Sequence, residues 1–270
     1  MNGHLLALSS VAALAASAAL SRAGSRDHAS LDLTKVKILR KKTVFHVGAS
    51  VAAQKQAHRG GKPGSSYEGE GLSVSEHPRA WTKIAQLGGS PTWALARADG
   101  KSGRFVDMHA LRASPLVRRR IDAFLVDAGW IVPKTAYTVT WFDDELDREV
   151  TMRFETRAEA EAEFEDFEDD PEERPIRPAL DWGPTARLVA RWATHFSGTL
   201  HPGMAWDYAF LCALDEVASP LDVDGAWWDD DLDPRAYSAP RGVILPSRVA
   251  AWTWRPAKRA EGKDDAWEDE

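Results

Sequence analysis

The sequence predicts a mixed α+β fold, and three observations carry that prediction. Short runs with strand alternation recur along the chain, interspersed with segments whose apolar residues return at helical spacing. The 270 residues are 44% hydrophobic and 28% charged, the balance of an ordinary globular protein with one large domain or two small ones. Gly69 and Gly71 lack the third glycine and the following helix of a dinucleotide fingerprint, which removes the doubly wound Rossmann alternative.

Residues 1–34 form a separate amino-terminal segment. Its run Leu5–Leu20 (LLALSSVAALAASAAL) is rich in Ala and precedes the first acidic residue, Asp27. Three readings are open for it: a helix packed on the domain, a weak signal sequence without a basic leader, or a membrane anchor, for which the run is short. A basic stretch, Lys35–Lys42, leads into a strand over Thr43–Val47, and a glycine-rich loop follows over His58–Gly71. Leu72–Ser75 alternates as a half-buried strand. Pro78 opens a helix over Arg79–Leu87, with Trp81, Ile84 and Leu87 at helical spacing and Gly88-Gly89 as its stop. Pro91–Ala96 and Phe105–Met108 read as short strands around the turn at Asp99-Gly100.

Leu116–Ala128 is a helix with Leu116, Val117, Ile121, Phe124 and Leu125 as its apolar set. A hairpin follows, Tyr137, Val139 and Trp141 sharing one face of its first strand and Val150, Met152 and Phe154 one face of its second. Thr156 and Glu159 have capping-box spacing and start a helix to about Phe167. The acidic run Glu159–Glu173 and the prolines 171, 175 and 178 mark 134–178 as an inserted hairpin and acidic helix closed by a linker. Thr185–His195 and Met204–Val217 are two further helices; Asp224–Trp228, Gly242–Leu245 and Val249–Trp252 close the fold; residues 256–270 read as a disordered charged tail.

Composition bounds the function. The formal net charge is −7 (34 basic against 41 acidic residues), so an extended nucleic-acid surface is not expected. The excess sits in 159–173 and in the tail, and Lys101, Arg104 and Arg118–Arg120 offer a local basic patch. One cysteine, Cys212, excludes an internal disulfide and a cysteine zinc site, and fits a cytoplasmic protein, secretion being the lesser alternative. His109, His195 and His201 lack metal-site spacing, so no metal is expected. Tryptophan, at 12, outnumbers both phenylalanine and tyrosine, which implies a tryptophan-rich core.

The ordered motifs Phe45-His46-Val47-Gly48, Gly69-Glu70-Gly71-Leu72-Ser73-Val74-Ser75 and Asp224-Gly225-Ala226-Trp227-Trp228 resemble the ADP-ribosyltransferase fold in its diphtheria-toxin and poly-ADP-ribose-polymerase branch. The resemblance covers about 43–110 and 220–252, with short motifs. It implies a split β-sandwich with flanking helices, 35–133 and 179–255 being the two halves of a domain that binds NAD as substrate. It implies that His46, with Gly48, holds the adenosine ribose. Gly71 belongs to the glycine motif, and Ser73 stands where the family has its nicotinamide-stacking tyrosine, so Tyr67 or Trp81 would supply the aromatic face. Ser73-Val74-Ser75 is also similar to the Ser-x-Ser strand of the arginine-directed branch, which supports the nicotinamide pocket with both serines, Ser73 and Ser75.

Cleavage of the glycosidic bond of NAD builds positive charge on the ribose, which a nearby carboxylate stabilises. The final strand Ser238–Val243 carries no acid, so the expected carboxylate is Asp230, with Asp229 or Asp231 behind it and Glu145 or Glu149 as a second choice. Arg241 is placed to clamp the pyrophosphate. The expected function is ADP-ribosyl transfer to a macromolecular acceptor, protein or nucleic acid, in a bacterial toxin or phage effector. The alternative is a catalytically inactive binding or inhibitory protein. A basic partner suits the acidic segment 159–173, and no stable membrane association is expected.

Overall fold

Three sheets organise the chain. β1 (Ile38–Lys41), β5 (Gly103–Asp107), β9 (Gly225–Trp228), β10 (Arg241–Ile244) and β3 (Leu72–Val74) form a five-stranded sheet in that order. Within it β5 and β9 run parallel, with Val106 opposite Ala226, and the other pairs are antiparallel. β11 (Trp252–Pro256), β4 (Thr92–Arg97) and β2 (Val44–Val47) form a second, antiparallel sheet. The two meet where Phe45 and Ser75 exchange both backbone hydrogen bonds, 2.7 and 2.8 Å. β7 (Arg148–Phe154), β6 (Ile131–Asp143) and β8 (Arg177–Pro184) make the third sheet. The computed structural model describes residues 31, 33–48, 69–143, 147–163, 175–196, 198–233, 238–258 and 261–263. The run Leu5–Leu20, Tyr67, Glu145 and residues 164–173 lie outside them.

Both faces of the five-stranded sheet are covered, so its central strands are apolar on both sides. Phe105, Trp227 and Ile244 pack with Val44, Leu95 and Trp252 between the first two sheets. Val106, Ala226, Trp228 and Val243 face the helices. The central one, α6 (Ala205–Leu221), is buried from Ala205 to Leu214, and its one buried acid, Asp207, is held by Arg112 at 2.6 and 2.7 Å. Around it lie α2 (Met108–Ala113), α3 (Pro115–Asp127) and α5 (Ala186–His195). α3 starts at a proline and buries Val117, Ile121 and Leu125, one turn apart; α5 is capped by Thr185 and buries Leu188 and Trp192. Trp130, Trp192, Trp206, Trp227, Trp228 and Trp252 are all buried, so much of the tryptophan excess is core.

The mixed α+β class holds, and the hairpin register sets Tyr137, Val139 and Trp141 opposite Phe154, Met152 and Val150. Thr156 and Glu159 cap α4 (Arg157–Glu163) reciprocally, each backbone N–H 3.1 Å from the other's side chain. Several expectations change. The helix after Pro78, α1, ends at Ile84, before the expected Leu87. The strands around Asp99-Gly100 belong to different sheets and form no hairpin. The supposed linker at 175–178 runs into β8, where Pro178 pairs with Tyr137 along an eight-residue ladder to β6. The basic stretch contains β1, whose Lys41 pairs with Gly103. The tail beyond Pro256 is ordered at its start: Arg255 holds Glu261 at 2.7 and 2.8 Å, and Lys263 reaches Glu76 at 3.1 Å. Residues 264–270, with Trp267, are outside the described set. No described helix is long and apolar enough to cross a membrane.

Candidate functional site

In a parallel strand pair the loops leaving the carboxyl ends converge, and ligands bind there in many open sheets. The parallel pair here is β5 and β9. β5 ends at Asp107, which caps α2 by accepting from the Ala110 N–H at 2.9 Å. His109 follows in the first turn of α2. β9 ends at Trp228, and the next residues are Asp229, Asp230 and Asp231. Asp230 Oδ1 lies 3.0 Å from His109 Nε2, and its Oδ2 lies 3.5 Å from an Arg241 guanidinium nitrogen. Arg241 opens β10 directly opposite Trp228, with its guanidinium carbon 5.7 Å from that indole ring. Lys37, just ahead of β1, reaches Asp107 at 2.8 Å. Burial pushes the Asp107 carboxyl up, but the Ala110 N–H and Lys37 outweigh it and hold it below its ordinary value.

Asp230 is half-buried, whereas Asp229 and Asp231 are exposed. Of the three expected acids, Asp230 is therefore the one with organised partners. Glu149, the second choice, is an exposed residue of β7 in the third sheet.

A second group of expected residues gathers where the first two sheets meet. His46 is buried, its Nδ1 donates to the Ser73 carbonyl at 2.8 Å, and its ring meets Trp254 edge-on at 5.8 Å. Gly48 sits at φ +134°, which favours glycine, and its carbonyl accepts from Trp93 Nε1 at 3.1 Å. Ser75 is buried; its hydroxyl donates to the Pro240 carbonyl and accepts from the His77 N–H. Trp81 Nε1 donates to that same carbonyl at 3.2 Å. Pro240 precedes Arg241, so Ser75 and Trp81 are tied to the Arg241–Asp230–His109 group through one peptide. Gly71 has a packing reason: a Cβ there would meet Val243 Cγ2 at 2.1 Å and the Ile244 carbonyl at 2.6 Å. Trp93 and Trp254, half-buried beside His46, were not anticipated.

Nor was the cluster around Glu70. This carboxylate, between the two motif glycines and only 8% exposed, accepts from Arg191 at 2.7 and 3.0 Å and from the Tyr208 hydroxyl at 2.6 Å, with His195 Nε2 at 3.3 Å. Burial, Cys212 and Glu70 drive the Tyr208 hydroxyl strongly upward, and burial with Glu70 pushes the Cys212 thiol up to about 12, so both stay protonated at neutral pH. The adjoining cleft, lined by Arg191, Tyr208, Cys212 and Asp215, has a cavity volume of about 10 Å³, room for about one water molecule. That is far below the roughly 300–1,000 Å³ of small-molecule pockets, and the cluster reads as a brace for the glycine motif.

Among the described residues no group of three or more His, Cys, Asp or Glu could hold a metal ion. The chain matches no protein-family model, no curated protein and no solved structure.

Proposed function

We propose that the protein binds NAD and transfers its ADP-ribose to a macromolecular acceptor. The observation that carries this reading is the tie between the two residue groups: Ser75 and Trp81 share the Pro240 carbonyl, and the next residue, Arg241, faces Asp230. A carboxylate, a guanidinium and an indole are thereby tied together at one end of β9 and β10, and Phe45, beside His46, pairs with Ser75 next to them. The reading also draws on the junction of the first two sheets at Phe45 and Ser75, which suits a split β-sandwich of the ADP-ribosyltransferase type.

In this proposal Asp230 faces the anomeric carbon and stabilises the positive charge that grows there as nicotinamide departs. Arg241 binds the pyrophosphate as a charge-assisted donor. Trp81, half-buried, offers the stacking face for nicotinamide, worth about 0.5–2 kcal/mol. His46 orients the ribose-binding end with Gly48, and the protein works in the cytoplasm as a toxin or phage effector. The test is incubation with labelled NAD and a cell lysate. Label transfer with release of nicotinamide is the expected result; no transfer, no nicotinamide and no NAD binding by calorimetry would refute it.

One observation favours the second reading, an inactive protein of the same architecture that binds a basic partner. His46 is buried with Nδ1 engaged, and both Asp230 oxygens already face cationic or donor groups. Asp230→Asn separates the two: an enzyme loses turnover while staying folded, and a binding protein keeps its partner affinity and had no turnover to lose.

A further inference from the structure

We infer that His109 is the general base of the site, held in its working tautomer by Asp230, and that it takes the proton of a hydroxyl nucleophile. The inference rests on the NAD reading above and adds to it a residue that the sequence motifs did not contain.

The tautomer follows from the partner. An ionised carboxylate only accepts, so at 3.0 Å from Asp230 Oδ1 the His109 Nε2 carries its hydrogen. In the neutral ring Nδ1 then holds a lone pair. Among the described residues no hydrogen bond reaches Nδ1, and the side chain is 51% exposed, open to a reacting group. Arg241, 3.5 Å from the second Asp230 oxygen, holds that side of the carboxylate in place. A base whose far nitrogen is oriented by a carboxylate is the arrangement that activates hydroxyls. His46 cannot serve: it is buried, and its Nδ1 already donates to Ser73.

The step balances with a hydroxyl as the co-reactant, water in the simplest case. The bond from the ribose C1′ to the nicotinamide nitrogen breaks, and its electron pair leaves with nicotinamide. The hydroxyl oxygen bonds to C1′, and its proton passes to His109 Nδ1 and from the exposed ring to solvent. Asp230, already charged, stabilises the imidazolium so formed. Facing His109 are Asp230 at 3.0 Å and Asp107, whose carboxyl feels the His109 ring; Lys37 pairs with Asp107, Arg241 with Asp230, and Asp229 adds its charge near Lys37.

Two measurements on the full chain test this. Nitrogen NMR of the protein alone reads the His109 tautomer: Nε2–H is expected in the wild type, and a mixture of tautomers in Asp230→Asn. Nicotinamide release from NAD in water gives the rate and its pH profile. His109→Gln is expected to lower the rate by roughly 100-fold or more, in keeping with general-base contributions, and to remove the rise in rate that accompanies loss of the imidazole proton. NAD binding by calorimetry is expected to survive. A wild-type Nδ1–H tautomer, or a His109→Gln rate and pH profile equal to wild type, overturns the base while leaving the NAD reading standing. If the wild type binds NAD but releases no nicotinamide, or does not bind it, the NAD reading falls and the base with it.

Discussion

Replacing Glu70 by Gln tests whether the glycine motif is braced by charge. Glu70 is nearly buried and receives four donors from α5 and α6: two from Arg191, one from Tyr208 and a long one from the Cys212 thiol, with His195 beside it at 3.3 Å. Removing one member of a buried ion pair costs about 3–5 kcal/mol when the other charge is left stranded. Arg191 is not fully stranded, since its side chain is 26% exposed and Asp215 lies 3.7 Å away. The amide keeps some hydrogen bonds as well, so the discounted expectation is about 2–3 kcal/mol, or about 4–12 °C in Tm for a domain of this size. Thermal unfolding followed by circular dichroism measures it. A second variant, Arg191→Met, and the double variant complete a cycle in which the double change costs clearly less than the sum. A loss under about 1 kcal/mol in Glu70→Gln, or strict additivity in the cycle, would refute the brace.

Gly71→Ala forces a Cβ into Val243 and the Ile244 carbonyl; with backbone as the obstacle, denaturant unfolding is expected to show a loss of about 3 kcal/mol or more, at the upper end of overpacking costs. Cys212 stays a thiol in the folded protein, so alkylation at mildly alkaline pH should be at least ~100-fold slower than in urea, with equal rates counting against its burial. Glu76 gives a pH dependence. Burial raises its carboxyl, but Lys41 at 2.6 Å and Lys263 at 3.1 Å outweigh it and hold it below the ordinary 4.5. A lowered folded-state value stabilises above 4.5 and loses that stabilisation as the pH falls through the folded value. Glu76→Gln should therefore be less stable than wild type at neutral pH and converge with it in acid; a constant gap across pH would contradict the assignment.

Local pattern carried much of the fold. The i, i+4 set Val117, Ile121 and Leu125 fixed α3, the capping box fixed the start of α4, and the alternation around Tyr137 and Val150 fixed the hairpin register. β8 was hidden because prolines 175 and 178 read as a linker, although strands tolerate proline at a sheet edge, where no neighbour needs its missing N–H. β1 was hidden by its basic residues: Lys41 spreads its stem over the Trp227 ring, 4.2 Å from Nζ to the centroid, and delivers its charge to Glu76. In the candidate site Asp230, Arg241, Ser75 and Trp81 were legible as residue types near glycine and aromatic motifs. His109 has no metal-site spacing to mark it in the sequence, and Glu70 stands between two glycines with nothing local that signals its partners on α5 and α6.

By itself, then, the sequence determined the α+β class, most helices, the paired hairpin and many of the buried apolar residues, because these features follow from periods of two and 3.6 residues within one segment. Leu116 and Met152 of the expected apolar faces are nonetheless exposed. Only the tertiary structure decided which edges meet. It joined β2 to β3 across Phe45 and Ser75, set β5 parallel to β9, and brought His109 to Asp230 over 121 positions and Glu70 to Tyr208 over 138. The physical reason is that a residue's burial is written in its neighbours along the chain, whereas the partner of a charged side chain is chosen by packing of distant strands and helices.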